Sequence, residues 1–347
     1  MNSRPLRLFA TFALTGLLVF LFLRGMDIRE TVEAIRSANP LALLIGFALG
    51  FAALWIRVWR WKRLLAETGN VPLRSAYHAT AIGFGASVIL PFKAGEVIRP
   101  ILLARERKLP ISRLLASVLI ERLFDLVAIL SLFLFSVFSP VGLKADPAYQ
   151  RTISNGALVG LGALLALVSG LVFLAIFRER FLAQTLGRLR FLPENLRHRL
   201  EEFAGHCLEG LAALRRPVNL IVILAQSFFL WVVIDFQVWA NLQAFRFSVP
   251  FRSTYLIVAF GAAGLAVPTP GGVGGFHKTT QEAVKLYGVS PANATAFAIV
   301  HHAACFIPVV LLGAISILMT GMSLRSVRTL AKETSDAPAG PSNPEDS

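Results

Sequence analysis

The sequence predicts an all-α, polytopic membrane protein carrying an inverted internal repeat. Three observations carry that prediction. Of the 347 residues 55% are apolar and the mean hydropathy is +0.66, far above what a soluble chain of this length carries. Eight long apolar stretches recur, near 6–23, 41–59, 76–92, 114–139, 153–177, 218–241, 254–270 and 292–320; about 20 apolar residues suffice to cross a bilayer as helix. Residues 56–77 also reappear as residues 234–255 with nine of 22 positions identical, including Trp61/Trp239, Pro72/Pro250, Arg74/Arg252, Ser75/Ser253 and Tyr77/Tyr255. Apolar composition supplies matched Leu and Val; it does not supply matched Trp, Pro, Arg, Ser and Tyr in one register.

Taken in order, the first stretch follows Arg4 and Arg7 but lacks a small-x-small cleavage site, so an uncleaved anchor is expected. Stretches three and seven are different in kind. Residues 83–95 read GFGASVILPFKAG and residues 261–275 read GAAGLAVPTPGGVGG. Gly and Pro break regular helix, and broken backbone at membrane depth survives only when buried in protein or lining a wet cavity. Both are therefore expected to re-enter on the face they came from, leaving six full spans.

Charge supports this choice. With both stretches re-entrant, 24 Lys and Arg fall on the cytoplasmic side and nine on the other, with Arg122 inside the membrane; with eight full spans the split is 14 to 19. Basic loops stay cytoplasmic, so both termini are expected in the cytoplasm of a cell whose inner membrane holds the chain. Residues 1–330 then form one membrane domain with repeat units at about 41–139 and 218–320. A lone span between the units inverts one relative to the other, and paired broken segments in two inverted halves mark transport sites. Residues 178–216, with eight arginines among apolar residues, are expected as amphipathic helices at the headgroup layer. Residues 331–347 are expected as a disordered tail.

The net charge of +14 points to anionic headgroups rather than nucleic acid. Cys207 and Cys305 exclude a disulfide framework and a multi-cysteine metal site. No metal or cofactor is expected, and no catalytic motif is present.

A charge at the bilayer centre costs about 2.5–3.5 kcal/mol on insertion scales, which makes intramembrane charges functional candidates. Three places stand out. Glu96 and Arg99 follow the first break and are spaced to pair on a helix. Glu121 and Asp125 share a helix face inside the fourth stretch, where Arg122 can pair with Asp125. The third place is the second break, where Gly271, Gly272 and Gly274 could expose backbone amides to a phosphate, with His277 beside them and His301 and His302 further on. Asp235 is repeat-equivalent to Arg57, and whether they pair is not readable from spacing.

The run Arg57-Val58-Trp59-Arg60-Trp61 through Leu64-Leu65, then Pro91, Gly95-Glu96, Arg99, Glu121-Arg122, Asp125 and Pro268-Thr269-Pro270-Gly271-Gly272-Val273-Gly274 occur in that order. Together they resemble the lysylphosphatidylglycerol synthase transmembrane-domain family, the flippase-like UPF0104 proteins, over about residues 5–325. The resemblance implies movement of a phospholipid or lipid-linked headgroup between leaflets, with membrane lipids as partners and a lipid-synthesis enzyme as a neighbour. It implies no synthase activity, because the soluble acyltransferase-like domain of the fused relatives is not expected here. His277 departs from the family pattern, in which an acidic residue is common after the glycines. Two other functions stay open: a membrane enzyme acting on a polyprenyl or glycerophospholipid with Glu121 or Asp125 as base, and a non-catalytic partner of such an enzyme.

Overall fold

A computed structural model describes residues 3–24, 26–67, 69–90, 93–138, 143, 144, 146–188, 205, 217–322, 326 and 329. Every regular element among them is helical. Helix α1 (Ser3–Leu23) turns sharply into the amphipathic α2 (Ile28–Ser37), the two axes meeting at 82°. Asp27 caps α2 by accepting from the Glu30 amide at 3.0 Å. Asn39 does the same for α3 (Pro40–Leu64), accepting from the Leu41 amide at 2.9 Å with Pro40 as first helical residue.

Two short helices follow, α4 (Leu73–Ile89) and α5 (Gly95–Arg107). Helix α5 ends at Lys108, in the left-handed region with φ 51°. Then come α6 (Ile111–Phe138), α7 (Pro147–Arg188), α8 (Pro217–Ala244), α9 (Ser253–Ala266), α10 (Gly275–Lys285) and α11 (Pro291–Thr320). Ser290 caps α11 and Gly321, at φ 67°, ends it.

Among the described residues four helices are long and apolar enough to cross a membrane, α3, the first 24 residues of α7, α8 and α11, and the bent α1–α2 pair would make a fifth if it is one span. Helix α6 has the length, but Glu121, Arg122 and Asp125 interrupt its apolar run. Large apolar side chains on these helices face outward, among them Trp59 at 58%, Val159 at 74% and Leu318 at 80% exposure. In water such a surface would aggregate; in a bilayer it meets lipid tails.

The expected boundaries shift in three places. Helix α7 starts at Pro147 and runs unbroken through Arg188, past the proposed span end at 177. The remainder of the amphipathic segment lies outside the described residues save for Gly205, and so does the tail from 331. The apolar stretches 76–92 and 254–270 stop as helix at Ile89 and Ala266, and Pro91 and Phe92 lie outside the described residues.

Two cores organise the bundle. The first gathers Val58, Trp61, Leu65, Ala76, Leu103 and Leu114 from α3 to α6. The second gathers Trp231, Val238, Leu242, Leu256, Ile257 and Phe297 from α8 to α11. Helix α3 packs along α8, and α4 along α11. Glycines permit the closest approaches: Gly85 and Gly313 meet at the α4–α11 crossing, and a Cβ on Gly50 would lie 2.8 Å from the Ala304 carbonyl.

Candidate functional site: a buried arginine–carboxylate cluster

The cluster is assembled by α3, α5 and α6, and lined by α4 and α8. Helix α6 supplies Glu121 and Asp125 one turn apart, and both are buried. Arg60 of α3 lies between them with no exposure. It donates through Nη2 to Glu121 Oε1 at 3.0 Å and through Nη1 to Asp125 Oδ1 at 2.7 Å. Its Nη1 also reaches Ser227 Oγ on α8 at 2.9 Å. Trp231 of α8 donates its indole N–H to Asp125 Oδ1 at 3.1 Å. Charges held this way in low dielectric need their hydrogen bonds as well as their partners.

Arg99 of α5 arrives by a different route. Gly83 of α4 and Gly95 of α5 touch so closely that a Cβ on Gly95 would meet the Gly83 carbonyl at 1.8 Å. This contact brings Arg99 over Gly83 and onto the Trp61 ring, 3.7 Å from its centroid. Arg99 Nη1 donates to Glu121 Oε2 at 3.0 Å, while its Nε and Nη2 are buried without a hydrogen-bond acceptor among the described residues.

Arg57 and Arg122 complete the group and are partly exposed. Arg122 contacts Glu121 at 3.2 Å, Asp125 at 3.3 Å and Glu96 at 4.0 Å. Arg57 lies 3.7 Å from Asp125 Oδ2. The guanidinium carbons of Arg57, Arg99 and Arg122 surround the Phe84 ring at 5.2, 5.6 and 5.8 Å from its centroid. Four arginines thus face three carboxylates, one of which, Glu96, stands at the edge. The cluster carries an excess of positive charge beside a narrow cleft lined by Phe84, Ser87, Glu96, Arg99, Val118 and Arg122.

The expected Arg122–Asp125 pair and the shared face of Glu121 and Asp125 are present. The expected Glu96–Arg99 pair is not: burial of Arg99 against Trp61 aims it at Glu121, and Glu96 turns to Arg122. Arg57 does not pair with Asp235 either. Asp235 is buried next to Thr254 of α9, with no ion pair among the described residues. Sequence reasoning missed Arg60, Ser227 and Trp231 as members. Arg60 sits one turn from Arg57 at the basic end of α3, beside Lys62 and Arg63, where it looks like a cytoplasmic anchor.

The second break forms a separate polar patch. Gly271, Gly272 and Gly274 have φ of 58°, 69° and 83°, a region that only glycine enters without strain. The Gly272 amide donates to Thr269 O and the Val273 amide to Pro270 O, both at 3.1 Å, while the Gly274 amide faces His277 Nδ1 at 3.4 Å. These three amides are therefore engaged within the loop. His302 Nε2 bonds the Gly271 carbonyl at 2.9 Å, and its ring lies 4.3 Å from that of His277. His301 is buried and bonds Asn241 at 2.9 Å. Gly271 packs on Val88 at the last turn of α4, so the second break leans on the first hairpin. No group of three or more metal-binding side chains occurs among the described residues.

No curated protein matches the chain. A family model described as the lysylphosphatidylglycerol synthase TM region matches residues 8–313. With that match spanning most of the sequence, and with the arginine cluster built from the motifs that suggested it, the chain is a multi-pass membrane protein of the lysylphosphatidylglycerol synthase TM region family.

Proposed function

We propose that the protein moves a phospholipid or lipid-linked headgroup across the inner membrane, and that the arginine cluster holds the anionic part of that headgroup in passage. The observation that carries this reading is the surplus charge. A cluster built only to stabilise the bundle would balance its buried charges, whereas here four arginines face three carboxylates and two Arg99 nitrogens lack acceptors. Arginine presents a fork of donors suited to phosphate. Arg57 and Arg122 stand at the accessible side and Arg99 deeper, while Glu121 and Asp125 position all of them. Acyl chains stay at the lipid-facing surface.

The architecture supports transport. The α4–α5 and α9–α10 pairs are read as two re-entrant hairpins within units 41–139 and 218–320 of one domain, 1–330. Each pair closes on a glycine contact, Gly83 with Gly95 and Gly264 with Gly275. Contacts between elements also follow a two-fold pattern: α4 packs on α11 as α9 packs on α6, and α3 packs on its own counterpart α8. Inverted halves of this kind allow one site to face either side in turn. The excess of basic residues on one side supports a cytoplasmic position for the open end of α4–α5 and for both termini.

Purified protein in vesicles holding a headgroup-labelled anionic phospholipid tests the proposal. Arg122→Ala, which alters a partly exposed group, is expected to cut translocation at least tenfold with an unchanged thermal midpoint. Translocation at the original rate in Arg122→Ala and in Arg57→Ala would overturn the site. A product of altered mass from the same vesicles would favour lipid chemistry over lipid movement.

A further inference from the structure

A cavity of about 1020 Å³ opens where α4 begins and α5 ends, bordered by the end of α11. This is the opposite end of the helix pair from the narrow cleft. Ligand sites enclose roughly 300–1,000 Å³, so the volume suits a headgroup with the first part of its chains.

The lining is divided. Arg74, His78 and Arg105 form the polar part, and Ile82, Leu102 and Met319 the apolar part. His78 is buried, with 6% exposure. Its Nε2 lies 3.5 Å from Arg74 Nε, a nitrogen that only donates, so Nε2 is the acceptor and a neutral ring carries its proton on Nδ1. That Nδ1 is buried without a partner among the described residues. A buried donor without an acceptor is costly, and the same residue forms part of the cavity wall.

The backbone adds to the same charge preference. Helix α4 starts after Pro72 with no side-chain cap, and its first internal bond runs from the Ala76 amide to Pro72 O. The amides of its first turn and the positive end of its dipole therefore favour an anion here. Ser75 is already committed as a donor to Glu106, which keeps that carboxylate, the one in the lining among the described residues, turned to the hydroxyl. The repeat does not reproduce this site: Arg252, the counterpart of Arg74, lies over the Phe135 ring at 5.3 Å.

We propose that this cavity binds the phosphate group of an amphiphile, with Arg74, Arg105 and the first turn of α4 on the phosphate, His78 in the wall beside them, and Ile82, Leu102 and Met319 on the chains. It is a loading site, distinct from the arginine cluster, and rests on the membrane reading above. Because α5 carries Arg99 and Arg105 less than two turns apart, a headgroup leaving the cavity has the cluster as its next cationic stop.

The test measures binding to the full chain in detergent with three probes: dihexanoyl phosphatidylglycerol, glycerol 3-phosphate and inorganic phosphate. Each is run on the original protein and on Arg74→Gln/Arg105→Gln, two exposed positions whose exchange spares the core. All arms are repeated on Arg122→Ala, which weakens the cluster's contribution. The expected result is that the short-chain lipid binds at least tenfold tighter than either soluble phosphate. It should lose at least tenfold in Arg74→Gln/Arg105→Gln on both backgrounds. Unchanged lipid affinity in that double variant overturns the site, and equal affinity for inorganic phosphate overturns the amphiphile. Binding that depends on Arg74 and Arg105 in a protein that moves no lipid would support the cavity while sinking the translocation reading alone.

Discussion

Arg60 and Arg122 show how two arginines one contact apart carry different burdens. Arg60 has no exposure and bridges both carboxylates of α6. Removing it leaves Glu121 and Asp125 buried with partial compensation, a change that typically costs about 3–5 kcal/mol. Arg60→Met is therefore expected to lower the thermal midpoint in detergent by many degrees, and a midpoint equal to the original would show the pair to be dispensable. Arg122 is partly exposed, so its loss is expected in transport and not in folding. Asp235 makes the reverse case. A buried carboxyl without a cation partner costs stability, so the isosteric Asp235→Asn is expected to hold or raise the midpoint, whereas Asp125→Asn lowers it. If Asp235→Asn proves as damaging as Asp125→Asn, a cation must reach Asp235.

At the level of the helices, the broken segments work because glycine lets two backbones touch. A side chain on Gly95 would collide with the Gly83 carbonyl, and backbone cannot yield as a flexible side chain can. Gly95→Ala is expected to separate α4 from α5, withdraw Arg99 from Trp61, and reduce the monodisperse fraction on size-exclusion chromatography. Gly156→Ala serves as a control, because nothing lies within 4 Å of a Cβ placed there. An equal yield for both would remove the close packing as the reason for these glycines. Spacing alone revealed that 83–95 and 261–275 break, since Gly and Pro act locally. It did not reveal that Arg99 turns to Glu121 instead of Glu96. That choice depends on Trp61, which comes from another helix and offers a ring at 3.7 Å.

For the whole molecule, the re-entrant reading makes a directional prediction. In a background lacking Cys207 and Cys305, Leu73→Cys and Arg107→Cys flank the first hairpin, and Arg246→Cys and Ser290→Cys flank the second. Impermeant thiol reagents are expected to label the first two from the cytoplasmic face and the last two from the opposite face. Labelling of Leu73→Cys and Arg107→Cys from different faces would turn that hairpin into a single broken span and abolish the inversion.

Composition, apolar length and the repeat of residues 56–77 at 234–255 were enough to establish a helical membrane protein, its broken segments and the charged face of α6, because each follows from local chemistry or from counting along one chain. The membership of the cluster was decided only in three dimensions. Arg60 and Asp125 are 65 positions apart, and Arg60 and Ser227 are 167 apart; no periodicity links them. The same holds for Asp235, whose counterpart in the repeat, Arg57, is drawn to Asp125 by the packing of α3 on α6. A repeated sequence predicts equivalent positions, but charges pair with whatever the folded bundle brings within reach.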